Sequence, residues 1–285
     1  MKDVAVLTDS ISCLTKEQVE QYEISVVPAA NIFFQGKVYK EWVDLSPSQA
    51  YEMIESDPDH FSSSAISSAD FYEAFKELSE KAESIVCITL AKKLSAVHNM
   101  ARIAMEQARQ EFPKTTIELI DSESATASEG LIVLAAARAA MEGKGLDCTI
   151  GEAEEVKSKV RLGALMKTMR YAYRTGRIPK MVARMGSTFN IRPVFTISKG
   201  TVRTITIVRS QKGGEEQLMK IIRDTADTRP VHVAVMHAAV PQEGERLMNR
   251  ISSNFDCVEL WMTEFSPTMA YSAGPGILGV ACYKD

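Results

Sequence analysis

The chain has 285 residues, long for a single hydrophobic core and of a length that suits two domains. With 45% hydrophobic and 25% charged residues, a mean hydropathy of −0.09, a formal charge of −4 and a pI near 5.7, it has the composition of a soluble globular protein and lacks the basic field of a nucleic-acid binder. No stretch reaches the roughly 18 apolar residues of a membrane span, the N-terminus has no signal-peptide pattern, and five scattered cysteines without a C-x-x-C exclude a disulfide or zinc framework, so a cytoplasmic location is expected.

In chain order, VAVLT (4–8) is a short apolar strand, and the capping-box pattern from Thr15 to Gln18 opens a helix. ISVVP (24–28) is a second strand, and IFFQGKVY (32–39) a hairpin turning on Gln35-Gly36. Ser46-Pro47 starts another helix, with proline where its missing N–H costs nothing. SIVCITL (84–90) and TTIELID (115–121) are strands flanking a helix from about 95 to 110, and the Ala-rich helix at 130–145 is apolar enough to be buried on much of its surface. This alternation predicts a parallel sheet covered by helices. Beyond it, strands are expected at 161–167, 191–197, 201–208, 231–238, 257–263 and 277–283, with helices near 214–226 and 242–254. Ser198-Lys199-Gly200 closes a tight hairpin, which makes the second sheet mixed. The boundary falls near 150–165, dividing the chain into 1–160 and 161–285.

The usual chemical signatures are absent. There is no G-x-S-x-G, P-loop or dinucleotide fingerprint, and His60, His98, His232 and His237 lack the spacing of a metal site. Asp9, in Thr8-Asp9-Ser10, ends the first strand, where open α/β sheets place ligands. It is either a nucleophile, lacking the second acid that such chemistry wants two residues on, or a side chain that satisfies turn amides. SSSAISSADF (62–71) places five serines ahead of a helix, and Ser95 stands at the next helix start. Ser95 reads first as an N-cap, next as an anion contact and last as a nucleophile, because no base is placed to activate it. SPTMAYSAGPGILGVACY (266–283) puts Gly274-Pro275-Gly276 before the last strand, in an irregular segment long enough to line a site.

Together these segments resemble the DegV family of bacterial fatty-acid-binding proteins, over nearly the whole chain and in order. VAVLTDSIS resembles the family's T-D-S opening, and SSAISSADF (63–71) its T-S-Q-P-S-x-x-x-F segment. TLAKKLSAVHNMA (89–101) is similar to its L-S-G-T stretch, MRYAYRTGRI (169–178) to its G-G-R-I stretch, NIRPVFTISKG (190–200) to its I-K-P strand, IVRSQK (207–212) to its R-x-x-K region and AGPGILGVACY (273–283) to its closing G-P-G strand.

The resemblance implies a two-domain α/β fold, with an N-terminal three-layer α/β/α domain on a parallel sheet and a C-terminal domain on a mixed sheet. It implies a long-chain fatty acid bound between them, its acyl chain in an apolar tunnel of the C-terminal domain. By matched position, Ser63, Ser64, Ser95, Ala96 and Ser272 would hold the carboxylate, Asp9, Arg177 and Gly274 would support the interdomain site, and Arg209 would dock a partner. It also implies no catalysis by this chain, no cofactor and no metal, a fatty acid kinase subunit as partner, and at most transient membrane contact. The chain departs from the family's pattern at Ala96-Val97, where the family has Gly-Thr, at Ser272, where it has histidine, and at Thr175, where it has glycine. Two other readings compete: an enzyme acting on a small anion or phosphoester at the Asp9/Ser95 edge, and a lipid sensor with a different protein partner.

Overall fold

The computed structural model describes residues 2–168, 171, 176 and 191–285. Strand β1 (Lys2–Asp9) is buried from its third residue onward, and a short 3-10 turn (Ser10–Ser12) follows it. Helix α1 (Lys16–Gln21) opens with the expected box: Thr15 accepts from the Gln18 N–H, and the Gln18 side chain accepts from the Thr15 N–H. Next come β2 (Ser25–Val27), β3 (Ala30–Phe34) and β4 (Lys37–Lys40), the last two joined through Gln35 and Gly36, both at positive φ. That is the turn that right-twisted strands favour. Helix α2 (Pro47–Ser56), capped by Ser46 and Gln49, leads to β5 (Phe61–Ala65). Helix α3 (Ser68–Ser79), β6 (Ala82–Thr89), α4 (Val97–Glu111) and β7 (Thr116–Asp121) complete the alternation. The strands β2-β1-β6-β7 form an all-parallel sheet, and β4-β3-β5 a small antiparallel one beside it.

Two helices, α5 (Ala127–Met141) and α6 (Leu146–Lys159), precede the second sheet. That sheet is built from β8 (Arg161–Leu165), β9 (Arg192–Ser198), β10 (Thr201–Val208), β11 (Val231–His237), β12 (Cys257–Glu264) and β13 (Leu278–Lys284), in the order β10-β9-β8-β13-β11-β12. Only β11 and β12 run parallel, so the sheet is mixed as expected. Helices α7 (Gln211–Ala226), α8 (Pro241–Ser252) and α9 (Pro267–Ala273) lie among these strands.

The layers explain the odd composition of α5. Helices α3 and α4 cover the outer face of the parallel sheet, and α7 and α8 the outer face of the mixed one. Helix α5 lies between the sheets, against β1 and β6 on one side and β11 and β13 on the other. A helix with sheet on two sides has no solvent face, which is why its residues from Ala127 to Ala137 are all buried and no apolar stripe is visible in its sequence.

Three elements differ from the sequence reading. The serines at 62–64 belong to β5, where their pairing with β3 supplies the order that their own side chains do not. The segment 266–283 contains a helix, α9, started by Ser266 and Pro267 in the same way as α2. Helix α6 lies where the sequence suggests only a boundary.

Candidate functional site

One cleft collects four of the residues singled out above, Ser63, Ser64, Ser95 and Ser272. It lies where the ends of β5, β6 and the start of α5 meet β8, β9 and α9. Its volume is about 1020 Å³ with the open mouth included. Ser63, Ser64, Ser95 and Ser272 are among the residues that line it, with Thr126, Thr196 and Thr268. The rest is apolar, including Leu162, Met166, Phe195, Ile197, Phe265 and Ile277. Among the described residues, no aspartate, glutamate, lysine, arginine or histidine lines it. An apolar wall with a few neutral polar groups suits an amphiphile that is mostly hydrocarbon.

Each serine reaches the cleft differently. Ser63 and Ser64 are neighbours on a strand, so their side chains leave opposite faces; Ser63 shares the inner face with Phe61, and Ser64 is exposed. Ser95 sits just ahead of α4 and accepts from the Val97 N–H at 3.4 Å, a long bond that leaves most of its capacity free. Ala96, already in helical geometry, is exposed and outside the wall. Ser272 donates back to the Thr268 carbonyl at 3.1 Å, so its hydroxyl must rotate before it can donate to a ligand.

The remaining candidates lie outside the wall. Asp9 is fully buried, and its two oxygens accept from the Ile11 and Leu90 N–H groups, each at 2.9 Å. Both amides belong to residues that line the cleft, so Asp9 shapes the wall without entering it. Burial pushes its carboxyl up to about 7, and the nearby Glu41 adds to the rise. Gly274 ends α9 at φ 89°, with its N–H on the Ala270 carbonyl at 2.7 Å and its Cα against the Tyr171 ring. Arg209 is exposed just beyond β10. Arg177 lies outside the described residues, as does nearly all of the segment 169–178.

Sequence reading missed two features. Glu41 is completely buried: one oxygen accepts from the Thr268 N–H at 2.8 Å and the other from Ser10 Oγ at 2.8 Å, so the start of α9 is tied to the end of β1. Burial raises its carboxyl above the ordinary range. Thr126 adopts φ 63° and ψ −155° at the cleft, a conformation that non-glycine residues rarely hold. A glutamate in an E-W-V-D-L run and a threonine in an A-T-A-S run carry no periodic signal that marks either one.

The profile of the DegV family, described as "Uncharacterised protein, DegV family", matches residues 3–285. The chain belongs to the DegV family. Curated DegV domain-containing proteins of Clostridium acetobutylicum and Caldanaerobacter subterraneus are 27% and 29% identical to it, covering 100% and 98% of each chain respectively. A DegV family protein of Thermus thermophilus with fatty acid binding superposes at a TM-score of 0.90 with 24% identity, over 100% of both chains. Bacillus subtilis DegV, a fatty acid binding protein, does so at 0.88 with 22% identity over 100% of both chains. A stearic acid-binding protein of Eubacterium ventriosum superposes at 0.89 with 22% identity, over 100% of this chain and 98% of that one. The architecture of a parallel and a mixed sheet is thus the DegV fold.

Proposed function

We propose that this DegV protein binds one long-chain fatty acid in the cleft, with the acyl chain along the wall of β8 and β9 and the carboxylate among Ser63, Ser95 and Ser272. The observation that carries this reading is the wall itself: a few hydroxyl-bearing residues amid hydrocarbon, without a charged side chain among the described residues. Neutral donors can hold a singly charged head group, and the tail supplies affinity of about 0.8 kcal/mol per buried methylene before the costs of association. The fatty-acid binding of the Thermus and Bacillus proteins supports the same reading. An enzymatic role for Asp9 finds no support in its geometry, since both oxygens are engaged by buried amides.

The chain carries the acid and does no chemistry on it. It presents the carboxylate to a separate ATP-dependent kinase subunit, which forms the acyl phosphate, and Arg209 meets that partner. Mass spectrometry of gently purified protein tests the binding, with a co-purifying acid of about C14 to C18 expected. In delipidated protein, affinity should fall as the chain shortens, by up to about fourfold per methylene. Protein that takes up no acid after delipidation refutes the reading. Acyl phosphate formed only when the loaded protein and a kinase fraction are combined, and lost in Arg209→Glu, tests the partner.

A further inference from the structure

Four buried side-chain polar atoms have no hydrogen-bond partner among the described residues, in Glu129, His237, Trp261 and Thr268. Of these residues only Thr268 lines the cleft. An orphaned buried hydroxyl is uncommon in a native fold and calls for a missing partner. Thr268 is also firmly placed. Its N–H donates to buried Glu41, whose other oxygen takes the Ser10 hydroxyl, and Ser10 Oγ in turn accepts from the Ala29 N–H at 3.0 Å. Ser272 lies four residues on, on the same side of α9, so the two hydroxyls follow one another along the cleft.

We infer that Thr268 is a head-group residue of the site, its Oγ1–H donating to a carboxylate oxygen of the bound acid alongside Ser272. This rests on the fatty-acid reading of the cleft. Among the described residues the neighbouring Glu41 has no cationic partner, and the Thr268 hydroxyl lies near enough to its carboxyl to favour the charged form, though short of full hydrogen-bond geometry. Burial favours the neutral form of Glu41, which removes the charge that would repel an acid.

Thr268→Val removes the hydroxyl and keeps the shape; Thr268→Ser restores it. Dissociation constants for palmitate and methyl palmitate are measured on delipidated protein for wild type and both variants. A hydrogen bond to a charged group predicts that the valine variant binds palmitate about tenfold or more weakly. Methyl palmitate should weaken by about threefold or less, as for a neutral acceptor, and the serine variant should recover palmitate binding. A valine variant that binds palmitate like wild type, or that loses both ligands equally, overturns the inference. Wild-type protein that binds neither ligand overturns the fatty-acid reading and this inference with it, a case separated from the others by the wild-type arm.

Discussion

Replacing Asp9 with asparagine separates a structural carboxyl from a chemical one. The two aspartate oxygens each hold one buried N–H, from Ile11 and Leu90. Asparagine offers a single carbonyl oxygen and turns its NH₂ toward the other amide. One orphaned N–H costs about 1–3 kcal/mol, and Asp9→Ala, which orphans both, about twice that. These are large fractions of the roughly 5–15 kcal/mol that stabilises an ordinary domain. The pH dependence has a definite sign. Burial raises the folded-state pKa from 3.8 to about 7, so the native state holds this proton more tightly than the unfolded chain. The resulting stability is fully present below about 3.8 and is lost as pH rises through about 7. Asparagine cannot ionise, so its deficit against wild type should be widest near pH 4 and shrink toward pH 8. Urea unfolding across that range measures the gap, and palmitate titration of the same samples should give nearly unchanged affinity. An asparagine variant as stable as wild type at every pH refutes the reasoning. Lost ligand binding at unchanged stability would instead place Asp9 in the site.

Gly274→Ala should lower stability by about 2–4 kcal/mol, because φ is 89° and a Cβ would enter the Tyr171 ring; the thermal midpoint measures it. Glu259→Gln should cost about 1–3 kcal/mol in urea, since it weakens the hold on half-buried Arg138 and on His232, whose Nδ1 lies 2.7 Å from Glu259. Burial pulls the His232 pKa down, but its bonds to Glu259 and Asp285 hold it above the ordinary 6.5. Burial raises Glu259, but His232 and Arg138 hold it below 4.5. The histidine's contribution is therefore full below about 6.5 and fades at higher pH, and the glutamate's is full above about 4.5 and fades at lower pH. The gap between the Glu259→Gln variant and wild type should accordingly peak between these values. Ser95→Ala should change stability by about 0.5 kcal/mol or less, given its 3.4 Å cap, and weaken palmitate about tenfold by isothermal titration.

Much of the fold was legible because local chemistry and tertiary structure agree. Thr15 with Gln18, Ser46 with Pro47, and Gln35-Gly36 each dictate a cap or turn that forms as read. Strands without a pattern of their own were not legible: β5 is mostly serine and takes its conformation from its pairing with β3. Four residues of the cleft, Ser63, Ser64, Ser95 and Ser272, could be found because matched motifs pointed to them. Glu41 and Thr268 could not, since their meeting depends on a contact across 227 residues. Nor does a run of residues reveal that Ser63 and Ser64 face opposite ways until the segment is known to be a strand.

Helix α5 bears on how this molecule can come apart. Because both sheets lay their inner faces on it, neither half owns a complete interior. A fragment ending at 160 would expose the side of α5 that β11 and β13 now cover, and a fragment starting at 161 would leave the mixed sheet bare on that side. Such halves would clump when expressed separately and recover only on co-expression. Access to the cleft is therefore expected at its rim, where α9, β5 and the turn carrying Ser95 lie, and not from two lobes swinging apart about a joint.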